Sequence, residues 1–283
     1  MVLNEYKPIF REALQSIYDE QEVDSFFTLV LGHLHGMTRV DLALNPKATI
    51  DFTHLRKWKS IVSDLKKQKP IQYILGETEF YGLRFLVNEN TLIPRPETEE
   101  LVQLILVESQ NLQVERPRIL DIGTGSGCIA VSLAKHIPYA EVVAIDVSDK
   151  ALKTAQGNAQ LHNVEVDFLL KNILETEDLE QQFDIIVSNP PYVRNLEKAE
   201  IKPNVLEHEP HLALFVEDTD ALLFYRKITE LAKKNLNQNG KLYFEINQYL
   251  GKETVALVES YGFKEVQLKQ DIYGNDRMIS ASL

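Results

Sequence analysis

From residue 118 onward the chain alternates between runs of strand character and runs with helical periodicity, and this alternation restricts the fold more than any other feature. Strands are expected at 118–121, 141–146, 164–170 and 183–188, with helices ending at 136 and spanning 150–162. Parallel strands need long crossovers, and helical crossovers between them are right-handed, so the pattern calls for a parallel sheet covered by helices. A helix at 221–236, a strand at 241–246, a helix at 252–261 and strands at 265–269 and 277–282 extend it. Only the turn Tyr273-Gly274-Asn275-Asp276 joins the last two strands. A connection that short cannot be a helical crossover, so the final strand must run antiparallel. The expected core is an α/β sheet of seven strands with the last one reversed.

At 283 residues the chain is longer than such a sheet requires, and the surplus lies at the front. Apolar residues recur three and four apart at Ile9, Phe10, Ala13, Leu14 and Ile17, and again at Phe26, Phe27, Val30, Leu31 and Leu34. That spacing predicts amphipathic helices. Thr38 can cap a short helix that Asn45-Pro46 ends, and 54–68 reads as a further helix with Leu55, Trp58, Ile61, Val62 and Leu65 on one face. Past Pro70 the texture changes: Gly82 lies between two β-rich runs, so 78–87 reads as a hairpin, and Pro94 and Pro96 stiffen the entry to a new helix. Three segments follow: a small helical bundle over 1–76, expected to recognise the substrate, a β-hairpin linker over 77–93, and the sheet domain over 94–283.

Thirty basic residues against forty-two acidic ones leave a net charge of −12, which gives no general attraction to phosphate backbones. No stable nucleic-acid partner is expected. No apolar run approaches the roughly 18 residues of a membrane helix, and the opening segment lacks the parts of a secretory signal. A cytoplasmic monomer without membrane contact is the expectation. Cys128 is the single cysteine, so neither an internal disulfide nor a cysteine-based zinc site can form. It reads as a small helix-packing residue, and no metal site is expected.

The segment Asp121-Ile122-Gly123-Thr124-Gly125-Ser126-Gly127 lies between the first strand and its helix, where glycine lets the backbone turn sharply and approach a ligand. A dinucleotide fingerprint would need glycine at 128, where Cys128 stands, so the spacing suits a nucleoside–amino-acid cofactor better than a pyrophosphate. The reversed last strand points the same way, because such a Rossmann-like sheet resembles the class I S-adenosylmethionine-dependent methyltransferases. Asp146, at the carboxyl end of the second strand, sits where a carboxylate can accept both hydrogen bonds of a ribose diol. Asn172 is placed either to meet an adenine edge, with Ile173 packed on the ring, or simply to end a strand in a turn.

Ser188-Asn189-Pro190-Pro191-Tyr192 follows the fourth strand, at the sheet edge where open α/β proteins bind ligands. Two prolines explain the end of a strand; they do not explain Asn before them and Tyr after them. A planar NH2 group has a delocalised lone pair and is a poor nucleophile, so it must be held and polarised. The side-chain oxygen of Asn189 and the carbonyl of Pro190 can accept its two N–H hydrogens, turning the lone pair toward a methyl sulfonium. Tyr192 would supply a flat face for the substrate.

The run PIQYILGETEFYGLRFLVNENTLIPRPETEELV, followed by DIGTGSG, SNPPY and EPHLAL, resembles the peptide chain release factor glutamine methyltransferases, the PrmC or HemK family. The resemblance covers nearly the whole chain. It implies S-adenosyl-L-methionine as cofactor and methylation of the side-chain amide of the Gly-Gly-Gln glutamine in class I release factors. It implies cofactor contacts from Gly123, Thr124, Gly125, Ser126, Gly127, Asp146, Asn172, Ile173 and Asn189. It also implies catalytic roles for Asn189, Pro190 and Tyr192, with Asn189, Pro190, Pro191 and Tyr192 holding the glutamine. One departure is Asn172, where the family often has Asp. His208 and His211 are the nearest candidates for taking the departing proton, water being the other. A nucleic-acid amino methyltransferase of the adenine type would share the glycine loop and the tetrapeptide, and is the alternative reading.

Overall fold

The structure is a computed structural model describing residues 1–283, and its chain divides into two compact units. The first comprises Met1–Gly76 together with Pro203–His208; the second comprises Glu77–Lys202 and Glu209–Leu283.

In the first unit the helices Leu3–Leu14, Glu20–His35, Arg39–Leu44, Phe52–Leu65 and Ile71–Leu75 enclose a core of Phe10, Leu14, Phe27, Trp58 and Leu65. Their ends follow capping chemistry. Asp19, Thr38 and Asp51 each accept a backbone N–H from the first turn of the helix they precede, and Gly36 closes the second helix at φ 62°. The Trp58 ring meets Phe10 edge-on at 5.5 Å between centroids, and its indole N–H donates to His35 Nε2 at 3.0 Å. The indole thus enters an apolar core without leaving its one donor unpaired.

The second unit is built on a seven-stranded sheet. Its strands are β1 Arg118–Ile122, β2 Glu141–Asp146, β3 Asp167–Leu170, β4 Phe183–Ser188, β5 Leu236–Glu245, β6 Lys264–Gln270 and β7 Asp276–Ser282. Their order is β6-β7-β5-β4-β1-β2-β3. The pairings β3–β2–β1–β4–β5 are parallel, whereas β7 is antiparallel to both of its neighbours. The reversed last strand expected from the short turn is therefore present, inserted between β5 and β6.

Period-two alternation assigns the two faces of the sheet. Leu120, Ile122, Ile186, Leu242 and Phe244 pack against the helices Leu223–Asn235 and Gly251–Ser260. Ile119, Ile185, Val187 and Tyr243 pack against Pro96–Ser109 and Cys128–His136. Burying each such side chain contributes roughly 1.5–3 kcal/mol, so both layers are bound firmly to the sheet.

Glu77–Phe80 and Leu83–Leu86 form the hairpin around Gly82. Phe80 and Phe85 are buried in the second cluster, which groups the hairpin with the sheet unit. Two strand starts differ from the expectation by more than one residue. β3 begins at Asp167 and not at 164, because Asn163 adopts φ 53° and the Val164 N–H returns to the Ala159 carbonyl, closing the preceding helix. β5 begins at Leu236, which pairs with Phe183 before a register shift.

Candidate active site

Strand order reverses between β1 and β4, and ligands of open α/β sheets lie at that switch point, beyond the carboxyl ends of the strands. A cleft of about 260 Å³ opens there. It is lined by Gly123 and Gly125 after β1, Asp146 at the end of β2, Asn172 and Ile173 after β3, and Asn189, Pro190 and Pro191 after β4. Ser188 ties two of these ends together, its hydroxyl donating to the Ile122 carbonyl at 2.7 Å.

The glycine loop is held against β2. The N–H groups of Gly123 and Thr124 both donate to the Ile145 carbonyl, and Gly125 N–H donates to Asp146 Oδ2 at 2.9 Å. Asp146 Oδ1 accepts the Ser148 N–H at 2.8 Å, and burial pushes the Asp146 pKa up. Thr124, Ser126 and Gly127, expected to touch a cofactor, do not line the cleft. Thr124 and Ser126 are buried, the Thr124 hydroxyl donating to Asp121 Oδ2 at 2.6 Å and the Ser126 carbonyl accepting Asn158 Nδ2 at 2.8 Å. Gly127 has φ 80°, and a Cβ there would stand 2.9 Å from the Ala155 Cβ. Its place is the contact between the helices Cys128–His136 and Asp149–His162, where no side chain fits. Cys128 is buried and its thiol is pushed up to about 12, as suits an inert packing residue.

Asn172 lines the cleft, yet its side chain is engaged locally: Oδ1 accepts the Leu174 N–H at 3.1 Å, and Nδ2 donates to Glu175 at 2.9 Å. The turn role left open by the sequence is thus present.

Tyr192 departs from its expected place. It does not line the cleft; its ring packs on the sheet core, and its hydroxyl donates to Glu245 Oε1 at 3.0 Å. A phenol beside a buried carboxylate acceptor is drawn inward, and burial raises its pKa well above the ordinary tyrosine value. The two histidines also have other surroundings. His208 groups with the first unit, its Nε2 lying 3.3 Å from the Lys67 carbonyl, and His211, which is not a lining residue, meets Phe215 edge-on.

Several residues that the sequence reading did not single out complete the site. Asn189 Nδ2 donates to Thr98 Oγ1 at 3.2 Å, and the Thr98 hydroxyl donates to Glu245 Oε2 at 2.6 Å. Asn247 Nδ2 donates to the Tyr192 carbonyl at 3.0 Å and to Glu197 at 2.9 Å, anchoring the chain beyond the tetrapeptide. Glu209 is buried, accepting the Ile93 N–H at 3.1 Å and Arg95 Nη2 at 2.5 Å. This pair joins the Ile93-Pro94-Arg95 run to the segment whose Pro210, Leu212 and Ala213 line one wall. The available signal was an acidic residue ending an otherwise apolar strand, as Glu245 does after Leu242-Tyr243-Phe244.

Two family models match the chain: the PrmC N-terminal domain over residues 9–76 and the methyltransferase small domain over residues 102–212. The chain is 64% identical to a release factor glutamine methyltransferase of Flavobacterium psychrophilum, over 100% of this chain and 99% of the relative. It is 42% identical to that of Bacteroides thetaiotaomicron, over 99% and 100% respectively. A solved methyltransferase from Pyrococcus furiosus matches with a TM-score of 0.52 at 18% identity, covering 78% of this chain and 96% of that one, a likeness of fold alone. With relatives this similar along its whole length, the chain belongs to the release factor glutamine methyltransferase family.

Proposed function

We propose that this protein transfers a methyl group from S-adenosyl-L-methionine to the side-chain amide nitrogen of the Gly-Gly-Gln glutamine in class I peptide chain release factors. The observation that carries the reading is that Asn189 and Pro190 line the same cleft as Gly123, Gly125 and Asp146. One cleft therefore offers a carboxylate suited to a ribose diol and a pair of acceptors suited to an NH2 group.

The residues present fit that cofactor: Asp146 is already oriented by two backbone N–H donors, and Ile173 presents a buried apolar surface beside it. When bound, S-adenosylmethionine supplies a methyl group made electrophilic by its sulfonium. Asn189 Oδ1 and the Pro190 carbonyl accept the two amide hydrogens of the glutamine, which turns the nitrogen lone pair toward that methyl. The same acceptors stabilise the positive charge that grows on nitrogen as the bond forms. Most of the acceleration comes from holding the reacting atoms about 3–3.5 Å apart and in line. Water takes the departing proton, since the methylated nitrogen is acidic and neither histidine is a lining residue. The helical unit 1–76 grips the release factor, a role its exposed Val40, Leu44 and Phe52 would suit.

The test is incubation with methyl-labelled S-adenosylmethionine and either release factor or duplex DNA, followed by mass mapping of the label. Label on the Gly-Gly-Gln glutamine supports the reading. Label on adenine and none on protein would reverse it.

A further inference from the structure

An asparagine side chain presents two ends of nearly the same shape, one oxygen acceptor and one NH2 donor. The function proposed above needs the acceptor in the cleft, because the substrate group is itself an NH2. A flipped Asn189 would set donor against donor. Something must therefore fix the polarity of this amide, and the backbone cannot, since both ends of the amide occupy the same rotamer space.

Glu245, only 1% exposed at the end of β5, accepts hydrogen bonds from two hydroxyls: Thr98 at Oε2, 2.6 Å, and Tyr192 at Oε1, 3.0 Å. A hydroxyl has one proton. With that proton directed to Glu245, Thr98 Oγ1 can only accept, and the Asn189 group 3.2 Å away must be Nδ2. Oδ1 is then left for the cleft. Three elements meet in this chain of bonds: the first turn of the helix Pro96–Ser109, the end of β5 and the residue after β4. Thr98 is itself 2% exposed, so no bulk water stands by to reverse its hydroxyl. Tyr192 closes the circuit, joining Glu245 to the tetrapeptide that carries Asn189.

We infer that Thr98 and Glu245 are positioning residues that set the polarity of the Asn189 amide and so present its oxygen, not its nitrogen, to the substrate amide. The inference rests on the proposed reaction. It makes Tyr192 part of this circuit instead of a platform for the substrate.

The experiment measures single-turnover methylation of release factor, S-adenosylmethionine affinity by calorimetry, and thermal stability. Thr98→Val removes the hydroxyl at nearly constant shape and should slow methyl transfer on the order of 10- to 100-fold, with cofactor affinity held within about twofold. Thr98→Ser should restore most of the rate. Glu245→Gln should slow transfer as well, because its NH2 can donate to Thr98 and release the hydroxyl proton toward Asn189. The deciding measurement repeats Thr98→Val in an Asn189→Asp background. A carboxylate has two equivalent oxygens and no polarity to set, so the cost of removing the Thr98 hydroxyl should vanish there. An equal cost in both backgrounds, or a wild-type rate for Thr98→Val alone, overturns the inference. Failure of the unsubstituted protein to methylate release factor would instead strike the proposed function, so the two failures are distinct.

Discussion

Gly123 and Gly127 of the loop do different work, and their alanine variants should separate it. Gly123 has φ 75° with open space where a Cβ would stand, whereas Gly127 has φ 80° and would set its Cβ 2.9 Å from the Ala155 Cβ and 3.2 Å from the Ala155 Cα. Placing alanine in the left-handed region costs roughly 1–2 kcal/mol at either position. Only at 127 is there an added overpacking cost of roughly 1–3 kcal/mol, because the atoms met are a neighbouring helix's Cα and Cβ, which cannot swing away. Gly127→Ala should therefore lose about 2–5 kcal/mol and Gly123→Ala about 1–2. Cofactor affinity should fall in the opposite order, since Gly123 lines the cleft and Gly127 does not. Native-state hydrogen exchange at the amides of β1 is the suitable assay, because the single tryptophan, Trp58, reports on the helical unit. Equal losses of stability in the two variants would refute the packing role given to Gly127.

Asp146→Ala should weaken S-adenosylmethionine binding by roughly 1.5–3 kcal/mol, and an unchanged affinity in calorimetric titration would remove Asp146 from the cofactor site. Burial raises the Asp121 pKa to about 7, so the folded state holds a proton that the unfolded chain releases near pH 4, and stability present at low pH is lost as the pH rises through 7. Asp121→Asn should therefore exceed the unsubstituted protein in stability at pH 8, on the order of 2–4 kcal/mol, with the gap closing toward pH 4; urea midpoints that run parallel across that range would contradict this.

The parts of the fold legible in the sequence were those governed by local pattern. Strand and helix periods fixed the sheet elements, and the short Tyr273–Asp276 turn dictated the reversed strand, because chain length alone decides whether a crossover is possible. The start of β3 was less legible, since whether Val164 continues a strand or closes a helix depends on Asn163 entering the left-handed region. The tetrapeptide and the glycine loop were visible as contiguous runs whose residue types suit a cleft at a strand end. The network behind them was not: Thr98 and Glu245 are 147 positions apart, and only the folded sheet brings the first turn of one helix to the end of β5. Tyr192 shows the same limit. Its aromatic face suggested a substrate platform, yet a buried carboxylate from another strand decides where its hydroxyl points.

The central claim is that Asn189 accepts an amide hydrogen of the glutamine in the transition state. Single-turnover methylation of release factor by the unsubstituted protein, Asn189→Ala and Asn189→Asp measures this most directly. Alanine removes an acceptor aimed at developing charge, so the rate should fall on the order of 10²–10³ while release-factor binding changes far less. Aspartate keeps an acceptor and should retain more activity than alanine, though its charge beside the sulfonium should tighten S-adenosylmethionine relative to S-adenosylhomocysteine. Equal chemical rates in all three proteins would mean that Asn189 only ends β4, and the account of catalysis given above would fall.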